Sequence, residues 1–573
     1  MPMIEVNGRQ VTAREGGTLL DALRRAGIQV PTLCHYEGLP PTGSCRLCVV
    51  EVEGAPNLVP SCSFPVSEGM RVQTHSPRAV RARKTIVELL LSNHPDDCLY
   101  CAQHGNCRLQ DLSEDLGVRQ RRLPGSRTRL PRDISSPAIV RDPDKCILCG
   151  RCIRACAEVQ TVAAIDFTGR GSGTRVDTAF GEGLNISSCI NCGQCVMVCP
   201  TGALTERSHL DQVESALQDP DLVPVVQVAP AISVSLAELF GEKPGRDVEG
   251  ALNALLRRLG FARVFDTSFS ADLTVMEEAS ELVARLQGAG PLPLMTSCSP
   301  GWIKFVETFY PDLIPNLSTC KSPQQMLGAI IKSRFAGIQG IDPARIYSVS
   351  IMPCTAKKFE AGRSEMLRGG LVDVDAVLTT RELAELVRRR GLKLGDQAPE
   401  PADMPFGRRS GAGKIFGASG GVTEAAIRTA HFLVTGRELE DLTVEPVRGP
   451  EGIKRARVQV GELELGVAVV SGLGNARRLL DEIREGRRDI HFVEVMTCPG
   501  GCINGGGQPI GTRPGAITAR MRALYRIDKG ETVRTAHANP AVRSLYADFL
   551  GEPLSGLSHE LLHTHYEART PLR

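Results

Sequence analysis

The segment HFVEVMTCPGGC (491–502) joins a short apolar run to a loop that carries two cysteines. Comparable apolar runs occur at VPVVQVA (223–229), IYSVSIM (346–352), DVDAVLTT (373–380) and LGVAVVSG (465–472). Helical patterns such as EEASELVARLQ (277–287) and TRELAELVRRR (380–390) lie between them. This alternation predicts an α/β domain with a mainly parallel sheet. Open sheets of this kind bind ligands beyond the carboxyl ends of their strands, and several loops after strands here carry cysteines.

The length and charge of the chain limit its class. Its 573 residues predict several domains. Its net charge of +2 is too small to indicate electrostatic attraction to nucleic acid or to a membrane surface. The N-terminus MPMIEVNGRQ (1–10) has no signal-peptide pattern. The longest apolar stretch (222–240) contains Gln227 and two prolines, which favours a buried strand followed by a helix over a membrane span. We expect a cytoplasmic protein with no membrane span and no nucleic-acid partner.

Twenty cysteines in a long chain without a secretory signal indicate reduced thiols, which are soft ligands for iron–sulfur clusters or zinc. Two runs, CILCGRCIRAC (146–156) and CINCGQCVMVCP (189–200), share the Cys-x2-Cys-x2-Cys-x3-Cys spacing of bacterial ferredoxins, in which the fourth cysteine ligates the other run's cluster. Paired zinc sites are the weaker alternative. The spacing predicts two [4Fe-4S] clusters, one on Cys146, Cys149, Cys152 and Cys199 and the other on Cys189, Cys192, Cys195 and Cys156.

The N-terminal part begins with IEVNGRQVT (4–12), a predicted hairpin over an Asn-Gly turn, and TLLDALRRAG (18–27), a predicted helix capped by Thr18. Two further ligand sets follow. The first resembles a plant-type [2Fe-2S] arrangement with a wider first gap, and the second, a histidine with three cysteines, could by itself hold zinc. These sets are Cys34, Cys45, Cys48 and Cys62, then His94, Cys98, Cys101 and Cys107. The basic stretch RQRRLPGSRTRLPRD (119–133) is interpreted as a solvated linker, with docking of an acidic redox partner as the alternative.

The order of these modules carries a resemblance. The His/Cys3 set, placed between a [2Fe-2S] module and a two-cluster ferredoxin, resembles the His/Cys3-ligated [4Fe-4S] module of the large electron-transfer subunit of respiratory NADH dehydrogenase. TSCSPGW (296–302), MPCTAKKFE (352–360) and FVEVMTCPGGCINGGGQP (492–509) closely resemble the three signature segments of [FeFe]-hydrogenases. DVDAVLTTREL (373–383), FGASGGVTEAA (416–426) and HELLHTHY (559–566) also resemble that family.

The resemblance implies a multidomain α/β and α+β protein with a two-lobed α/β hydrogenase domain. Its expected parts are a β-grasp-like [2Fe-2S] domain (1–78), the His/Cys3 module (79–118), a linker (119–137), the two-[4Fe-4S] ferredoxin domain (138–210), the catalytic domain (222–515) and a small-subunit-like segment (516–573).

The family also implies an H-cluster, a [4Fe-4S] cubane joined to a di-iron unit with CO, cyanide and azadithiolate ligands. By motif position Cys354, Cys498 and Cys502 ligate the cubane, and Lys357 donates to a cyanide. The glycines at 505–507 allow a close backbone approach to the cluster. Residues matching the di-iron pocket are Ala229, Pro230, Ser322, Gln324, Met352, Phe416 and Met496.

One pair of residues departs from the family pattern, which has two adjacent cysteines at this point. The resemblance places Cys298 on the proton-relay thiol and Ser299 on the position of the fourth cubane ligand. Either Ser299 ligates iron through oxygen, which we favour, or the loop shifts and Cys298 becomes the ligand. Glu278, Ser318 and Glu281 match the proton path to solvent, and Cys320 is expected to be a small buried apolar residue.

The predicted function is reversible interconversion of H₂ with protons and electrons, which four accessory clusters relay. Expected partners are flavin-containing NAD(P)-linked subunits, with electron bifurcation as one form, or ferredoxin, together with hydrogenase maturation proteins. No strand–GxGxxG–helix unit is evident, so nicotinamide binding is expected on another subunit. The alternatives are a non-catalytic electron-transfer subunit of NADH dehydrogenase, and a hydrogen sensor or iron–sulfur assembly factor.

Overall fold

The computed structural model describes residues 1–125, 129–449, 452–511 and 515–571. Its N-terminal sheet has the strand order β2-β1-β5-β3-β4, and the apolar face of helix α1 (Leu19–Arg25) packs against it. Asn7 and Gly8 both have positive φ, so the predicted hairpin is confirmed, and a capping box between Thr18 and Asp21 begins α1 as predicted. The strands are β1 (Met3–Val6), β2 (Arg9–Thr12), β3 (Val49–Val52), β4 (Val59–Pro60) and β5 (Arg71–Gln73).

Two helices, α2 (Pro77–Asn93) and α3 (Arg108–Asp115), flank the loop that carries the His/Cys3 set. The buried Arg83 of α2 donates to the carbonyls of Val49 (2.7 Å) and Thr74 (2.8 Å), which fastens this module to the N-terminal sheet. The start of the predicted linker (119–122) is exposed, as predicted, and Arg122 pairs from the surface with the buried Glu88. Residues 126–128 of that linker lie outside the described residues.

The ferredoxin-like part consists of two antiparallel strand pairs and two short helices. Each helix begins directly after a left-handed glycine, Gly150 or Gly193, that ends a cysteine-rich turn. Its elements are β6 (Ile139–Arg141), α4 (Arg151–Arg154), β7 (Asp166–Thr168), β8 (Arg175–Asp177), α5 (Gln194–Val198) and β9 (Leu204–Glu206). Strand β6 pairs with β9, and β7 with β8.

The large C-terminal part contains two four-stranded sheets, of order β11-β10-β13-β16 and β12-β19-β18-β17. All neighbours are parallel except β17 and β18, so the prediction of a mainly parallel α/β domain is confirmed. The strands are β10 (Val223–Val228), β11 (Arg263–Asp266), β12 (Leu294–Met295), β13 (Ile346–Met352), β14 (Leu367–Arg368), β15 (Leu371–Val372), β16 (Ala376–Thr379), β17 (Ile453–Val460), β18 (Leu463–Ser471) and β19 (Phe492–Met496).

Helix α9 is the longest helix of this part and is buried along most of its length, including Glu277, Glu278 and Glu281. The helices are α6 (Leu210–Ala216), α7 (Pro230–Ser233), α8 (Glu249–Leu259), α9 (Thr267–Leu286), α10 (Pro300–Phe309), α11 (Pro323–Ile330), α12 (Ala336–Gln339), α13 (Ala356–Ala361), α14 (Thr380–Arg389), α15 (Gly411–Ile415), α16 (Gly421–Thr435), α17 (Leu473–Arg484), α18 (Ala516–Gly530), α19 (Pro540–Leu545) and α20 (Gly556–Leu562). Among the helices of the described ranges, none has the length and apolarity needed to cross a bilayer.

Candidate active site and electron path

The cysteines of the three signature segments follow strand ends. Cys298 comes after β12, Cys354 after β13 and Cys498 after β19, so loops from both sheets contribute to one site. Burial and the neighbouring Cys354 raise the pKa of Cys502 to about 12, and burial also raises the pKa of Cys498, with Cys354 and Cys502 adding to it. Three mutually close, buried thiols need a cationic centre to ionise, which fits a metal-cluster site.

Lys357 is the cation beside these thiols. Its Nζ donates to Glu360 Oε2 (2.9 Å) and to the carbonyl oxygen of Cys298 (3.1 Å). Ser322 Oγ (2.9 Å) and Gln324 Nε2 (3.1 Å) donate to the same oxygen of Glu360. The structure therefore brings three predicted pocket residues together on one buried carboxylate. Glu360 was missed from the sequence, although its position three residues after Lys357 on α13 was a usable signal.

Apolar side chains close the remaining walls of this pocket. Phe416, at the end of α15, and Met496, at the end of β19, belong to one buried cluster, with Cys298 and Cys502 packed against its edge. Ala229 begins the turn into α7, whose first residue is Pro230, and Ala229 packs in the same core as Met352. The predicted apolar pocket residues are therefore buried in two adjoining strand-end regions, Phe416 and Met496 in one cluster and Ala229 and Met352 in another.

A line of buried polar groups leads away from Cys298. Burial raises the pKa of the Cys298 thiol, and the Glu278 charge raises it further. The Ser297 N–H donates to Glu278 Oε1 (3.3 Å), Ser318 Oγ donates to Glu281 Oε2 (2.8 Å), and Arg285 Nη2 donates to Glu281 Oε1 (2.6 Å). The predicted proton-path residues therefore lie close together. Arg285, which was not predicted from the sequence, pairs with Glu281 at the end of this line of groups.

Glu278 is suited to carry a proton at neutral pH. Burial, followed by the charge of Glu281, raises its pKa to about 8, and its Oε2 has no hydrogen-bond partner within the described part of the chain. A carboxyl group with this pKa is largely protonated at pH 7 and can both donate and accept.

We expect Glu278→Gln to lower turnover by about 10²-fold or more, because a general acid–base group contributes about 10²–10⁴-fold. In the wild type, H₂ production should fall as pH rises through about 8, where Glu278 loses its proton, and this inflection should vanish in the variant. A raised folded pKa also means that wild-type stability falls between about pH 4.5 and 8, so the variant should gain relative stability over that range. Unchanged turnover and an unchanged pH profile would exclude Glu278 from the path.

The two ferredoxin runs are interleaved in the way the spacing predicts. Cys199 lies with the first run, since Cys146, Cys149, Cys152 and Cys199 line one cavity. Cys156 lies with the second run, where its charge raises the pKa of Cys192 and Cys195. The second group adjoins the active site, because Cys498 also raises the pKa of Cys192. The order of thiols along this path is therefore first group, second group, active site.

Gly505 and Gly506 lie directly against other backbone segments of the protein. A Cβ on Gly506 would lie 2.3 Å from the carbonyl oxygen of Cys192, and one on Gly505 would lie 2.1 Å from that of Pro353. The glycines therefore let the active-site loop press against the ferredoxin backbone and the loop after β13. This close packing fixes the separation between the second thiol group and the active site.

We expect Gly506→Ala to destabilise the fold by about 1–3 kcal/mol, because overpacking displaces the backbone at Cys192. It should also slow reduction of the active-site cluster by the accessory clusters, measured by rapid freeze-quench electron paramagnetic resonance. Gly530→Ala is the matched control, since a Cβ there has no neighbour within 4 Å. Equal behaviour of the two variants would contradict this role.

The two N-terminal ligand sets both adjoin the ferredoxin part. In the first set, a hydrogen bond from the Cys45 thiol lowers the pKa of Cys34 to about 4, and one from the Cys62 thiol lowers that of Cys48 to about 6, so the thiols contact each other in two pairs. The loop beyond Cys34 reaches the ferredoxin part, where Arg154 donates to the carbonyl of Pro40 (2.7 Å).

In the second set, His94 is buried and its Nδ1 has no hydrogen-bond partner among the described residues, as expected of a nitrogen reserved for metal. Cys101 and Cys98 raise the pKa of Cys107, which shows that the three thiols are close. Cys101 Sγ would lie 2.8 Å from a Cβ on Gly202, close to Cys199. Both N-terminal ligand sets therefore contact the ferredoxin part of the chain.

Family models match the chain in five consecutive segments. Residues 3–77 match a 2Fe-2S iron-sulfur cluster binding domain, 83–122 the NADH-ubiquinone oxidoreductase-G iron-sulfur binding region, and 145–203 a 4Fe-4S dicluster domain. Residues 223–506 match the C-terminal domain of the iron only hydrogenase large subunit, and 514–569 the iron hydrogenase small subunit. The NADP-reducing hydrogenase subunit HndD of Solidesulfovibrio fructosivorans is 48% identical and aligns over 100% of both chains. The chain belongs to the [FeFe]-hydrogenases.

Two further similarities agree with this assignment. Iron hydrogenase 1 of Clostridium pasteurianum is 38% identical over 99% of this hydrogenase and 100% of its own length. The solved structure of a variant of the [FeFe]-hydrogenase HydA1 from Chlamydomonas reinhardtii is 43% identical, covers 63% of this hydrogenase and 99% of its own chain, and superposes with a TM-score of 0.57. This protein is therefore an enzyme, a hydrogenase catalytic subunit with accessory iron–sulfur domains, and the non-catalytic alternatives are set aside.

Ser299 remains the departure within this hydrogenase. Its Oγ lies 2.7 Å from Thr497 Oγ1, and the backbone N–H of Thr497 points to the same oxygen at 3.4 Å. Cys298, by contrast, packs against the pocket cluster of Phe416 and Met496. The leftover Cys320 is fully buried in an apolar core, consistent with the expectation of a small apolar residue.

Proposed function

We propose that this hydrogenase binds an H-cluster through Cys354, Cys498, Cys502 and Ser299, and four accessory clusters through the ligand sets of the N-terminal and ferredoxin modules. The observation that carries the proposal is the convergence of loops from β12, β13 and β19 on one buried, thiol-rich site beside Lys357. When bound, the H-cluster supplies the iron centre at which H₂ interconverts with two protons and two electrons.

The residues of the chain orient and isolate this centre. Lys357, held by Glu360, places an ammonium group where a buried anionic ligand needs a charge-assisted donor. Ala229, Pro230, Ser322, Gln324, Met352, Phe416 and Met496 exclude water from the pocket. Cys298 passes protons between the centre and Glu278, and Ser318 and Glu281 continue the path toward solvent.

Electrons are proposed to move along the modules in the order of their contacts. The [2Fe-2S] cluster (1–78) and the His/Cys3 cluster (79–118) each pass electrons to the ferredoxin domain (138–210), across or beside the linker (119–137). From there they reach the catalytic domain (222–515), which the small-subunit-like segment (516–573) supports. Buried polar anchors favour this last contact, since Glu277 of α9 accepts hydrogen bonds from Tyr546 Oη (2.5 Å) and the Leu554 N–H (2.7 Å).

We further propose that this chain works in a complex with flavin-containing NAD(P)-linked subunits, with ferredoxin as a second electron carrier when the complex bifurcates electrons. The support is the relative named an NADP-reducing hydrogenase subunit and the match of residues 83–122 to an NADH-ubiquinone oxidoreductase region. Anaerobic purification of a tagged chain from its own cells tests this. Co-purifying flavin and H₂-dependent reduction of NAD(P)⁺ are expected. A solitary active monomer, from extracts without NAD(P)-linked activity, would leave ferredoxin as the partner.

A further inference from the structure

We propose that Thr497 is a positioning residue for the fourth cubane ligand, and that its hydroxyl and backbone N–H together hold and polarise the oxygen of Ser299. The inference rests on the proposed H-cluster site and deepens it. It adds a residue that neither the sequence patterns nor the comparisons assign.

The orientation of Ser299 is the first observation. Ser299 occupies the N-cap position of α10, where a serine normally accepts a hydrogen bond from the backbone of the first turn. Here its side chain makes no capping hydrogen bond and instead contacts Thr497 Oγ1 at 2.7 Å. The helix therefore lacks a side-chain cap, and the Ser299 oxygen faces the loop after β19 instead.

The packing of Thr497 is the second observation. A Cβ on Gly301 would lie 3.0 Å from both Thr497 Oγ1 and Cγ2, so the first turn of α10 rests directly on this side chain. On the other side the Thr497 carbonyl accepts from Gln160 Nε2 (3.1 Å), which comes from the ferredoxin part. Thr497 is thus fixed between two elements and cannot turn away from Ser299.

The chemistry of the pair follows from its donors. A hydroxyl oxygen has two acceptor positions and one hydrogen. Either hydroxyl can donate across the 2.7 Å contact, but once iron replaces the hydrogen of Ser299, Thr497 supplies both donors, its N–H and its O–H. On cluster assembly the Ser299 O–H bond breaks, an iron–oxygen bond forms, the proton passes to solvent, and no electron changes place. These two donors stabilise the negative charge of the alkoxide and so favour the deprotonated oxygen that can ligate iron.

The expected consequence is electrochemical. Hydrogen bonds to a ligand atom withdraw electron density from the cluster and raise its reduction potential. Thr497→Val keeps the shape of the side chain and the backbone N–H but removes the hydroxyl, so the cubane should become harder to reduce. Thr497→Ser keeps the hydroxyl and is the matched control.

The test uses the full-length chain produced without maturation proteins, so that the cubane is studied without the di-iron unit. Iron content, the cubane's electron paramagnetic resonance signal and its midpoint potential are measured, with the unchanged accessory clusters as internal references. Thr497→Val should shift the cubane potential downward and remove an exchangeable-proton coupling in electron–nuclear double resonance, while Thr497→Ser should retain both. Ser299→Ala should alter the cubane signal more than either.

The possible results distinguish a failure of the Ser299–Thr497 pair from a failure of the proposed H-cluster site. If the cubane signal and potential are the same in wild type, Thr497→Val and Ser299→Ala, the Ser299–Thr497 pair is only a structural contact and the inference is overturned. If Thr497→Val folds poorly, electron–nuclear double resonance of the wild type and Thr497→Ser still tests the proposal. Absence of the exchangeable-proton coupling in both proteins would contradict it. If the wild type binds iron at the accessory sites and shows no cubane, the proposed H-cluster site itself fails.

Discussion

Cys298→Ala is expected to lower H₂ turnover by about 10²–10⁴-fold, the contribution of a typical proton-transfer group. Burial and then the charges of Glu278 and Cys502 raise the pKa of this thiol, so it is close to both groups and its removal is expected to break the path at its inner end. Its side chain packs with the apolar pocket wall, and an alanine there keeps that wall closed. The infrared bands of the di-iron unit and the cubane signal should therefore remain.

The matched control for this variant is Cys320→Ala, because Cys320 is a fully buried cysteine that packs in a separate apolar core. It should lose stability without losing most of its turnover. The outcome against the relay assignment is a Cys298→Ala protein that lacks the cubane signal while its accessory clusters remain. That result would make Cys298 the fourth cubane ligand and Ser299 a residue that does not bind the cluster.

Lys357→Met is expected to prevent stable retention of the di-iron unit. The substitution removes the charge-assisted donor of the pocket and leaves Glu360 as a buried carboxylate without its ammonium partner. Breaking such a buried pair costs about 3–5 kcal/mol. The variant should therefore bind the cubane, lose most cyanide and CO bands after maturation, and unfold at lower denaturant concentration.

The neighbouring lysine provides the control that separates stability from cofactor binding. Lys358 is also buried, pairs with Glu382 at 2.9 Å and donates to the carbonyl of Val377 (2.6 Å). Lys358→Met should lose a similar amount of stability and keep the infrared bands. If both variants keep the bands, or if both lose them, the specific role of Lys357 is wrong.

The sequence predicted those features that depend on local spacing. The interleaving of Cys156 and Cys199 between the two runs followed from their intervals, and the Asn7-Gly8 turn followed from its residue types. The parallel sheets followed from alternating apolar and helical segments. The antiparallel β17, whose polar outward face gave no strong signal, was not predicted.

Features that depend on contacts between distant segments could not be predicted from the sequence. Thr497 is 198 positions from Ser299, and Arg285 reaches Leu317 across 32 positions, so no local pattern marks either pair. The spacing of Glu360 from Lys357 was a usable local signal, whereas its contacts with Ser322 and Gln324, 38 and 36 positions away, left no pattern in the sequence. The contact of Gly506 with the backbone at Cys192 could not be predicted either, because that backbone belongs to the ferredoxin part.

Infrared spectroscopy of the protein after anaerobic maturation tests the central claim most directly. A pocket formed by Lys357, Ser322, Gln324 and the apolar wall of Phe416 and Met496 should hold a di-iron unit with CO and cyanide ligands. Their stretching bands should therefore be present and should shift when H₂ is added. A fully matured sample with complete accessory clusters, an intact cubane and no such bands would contradict the assignment of this site.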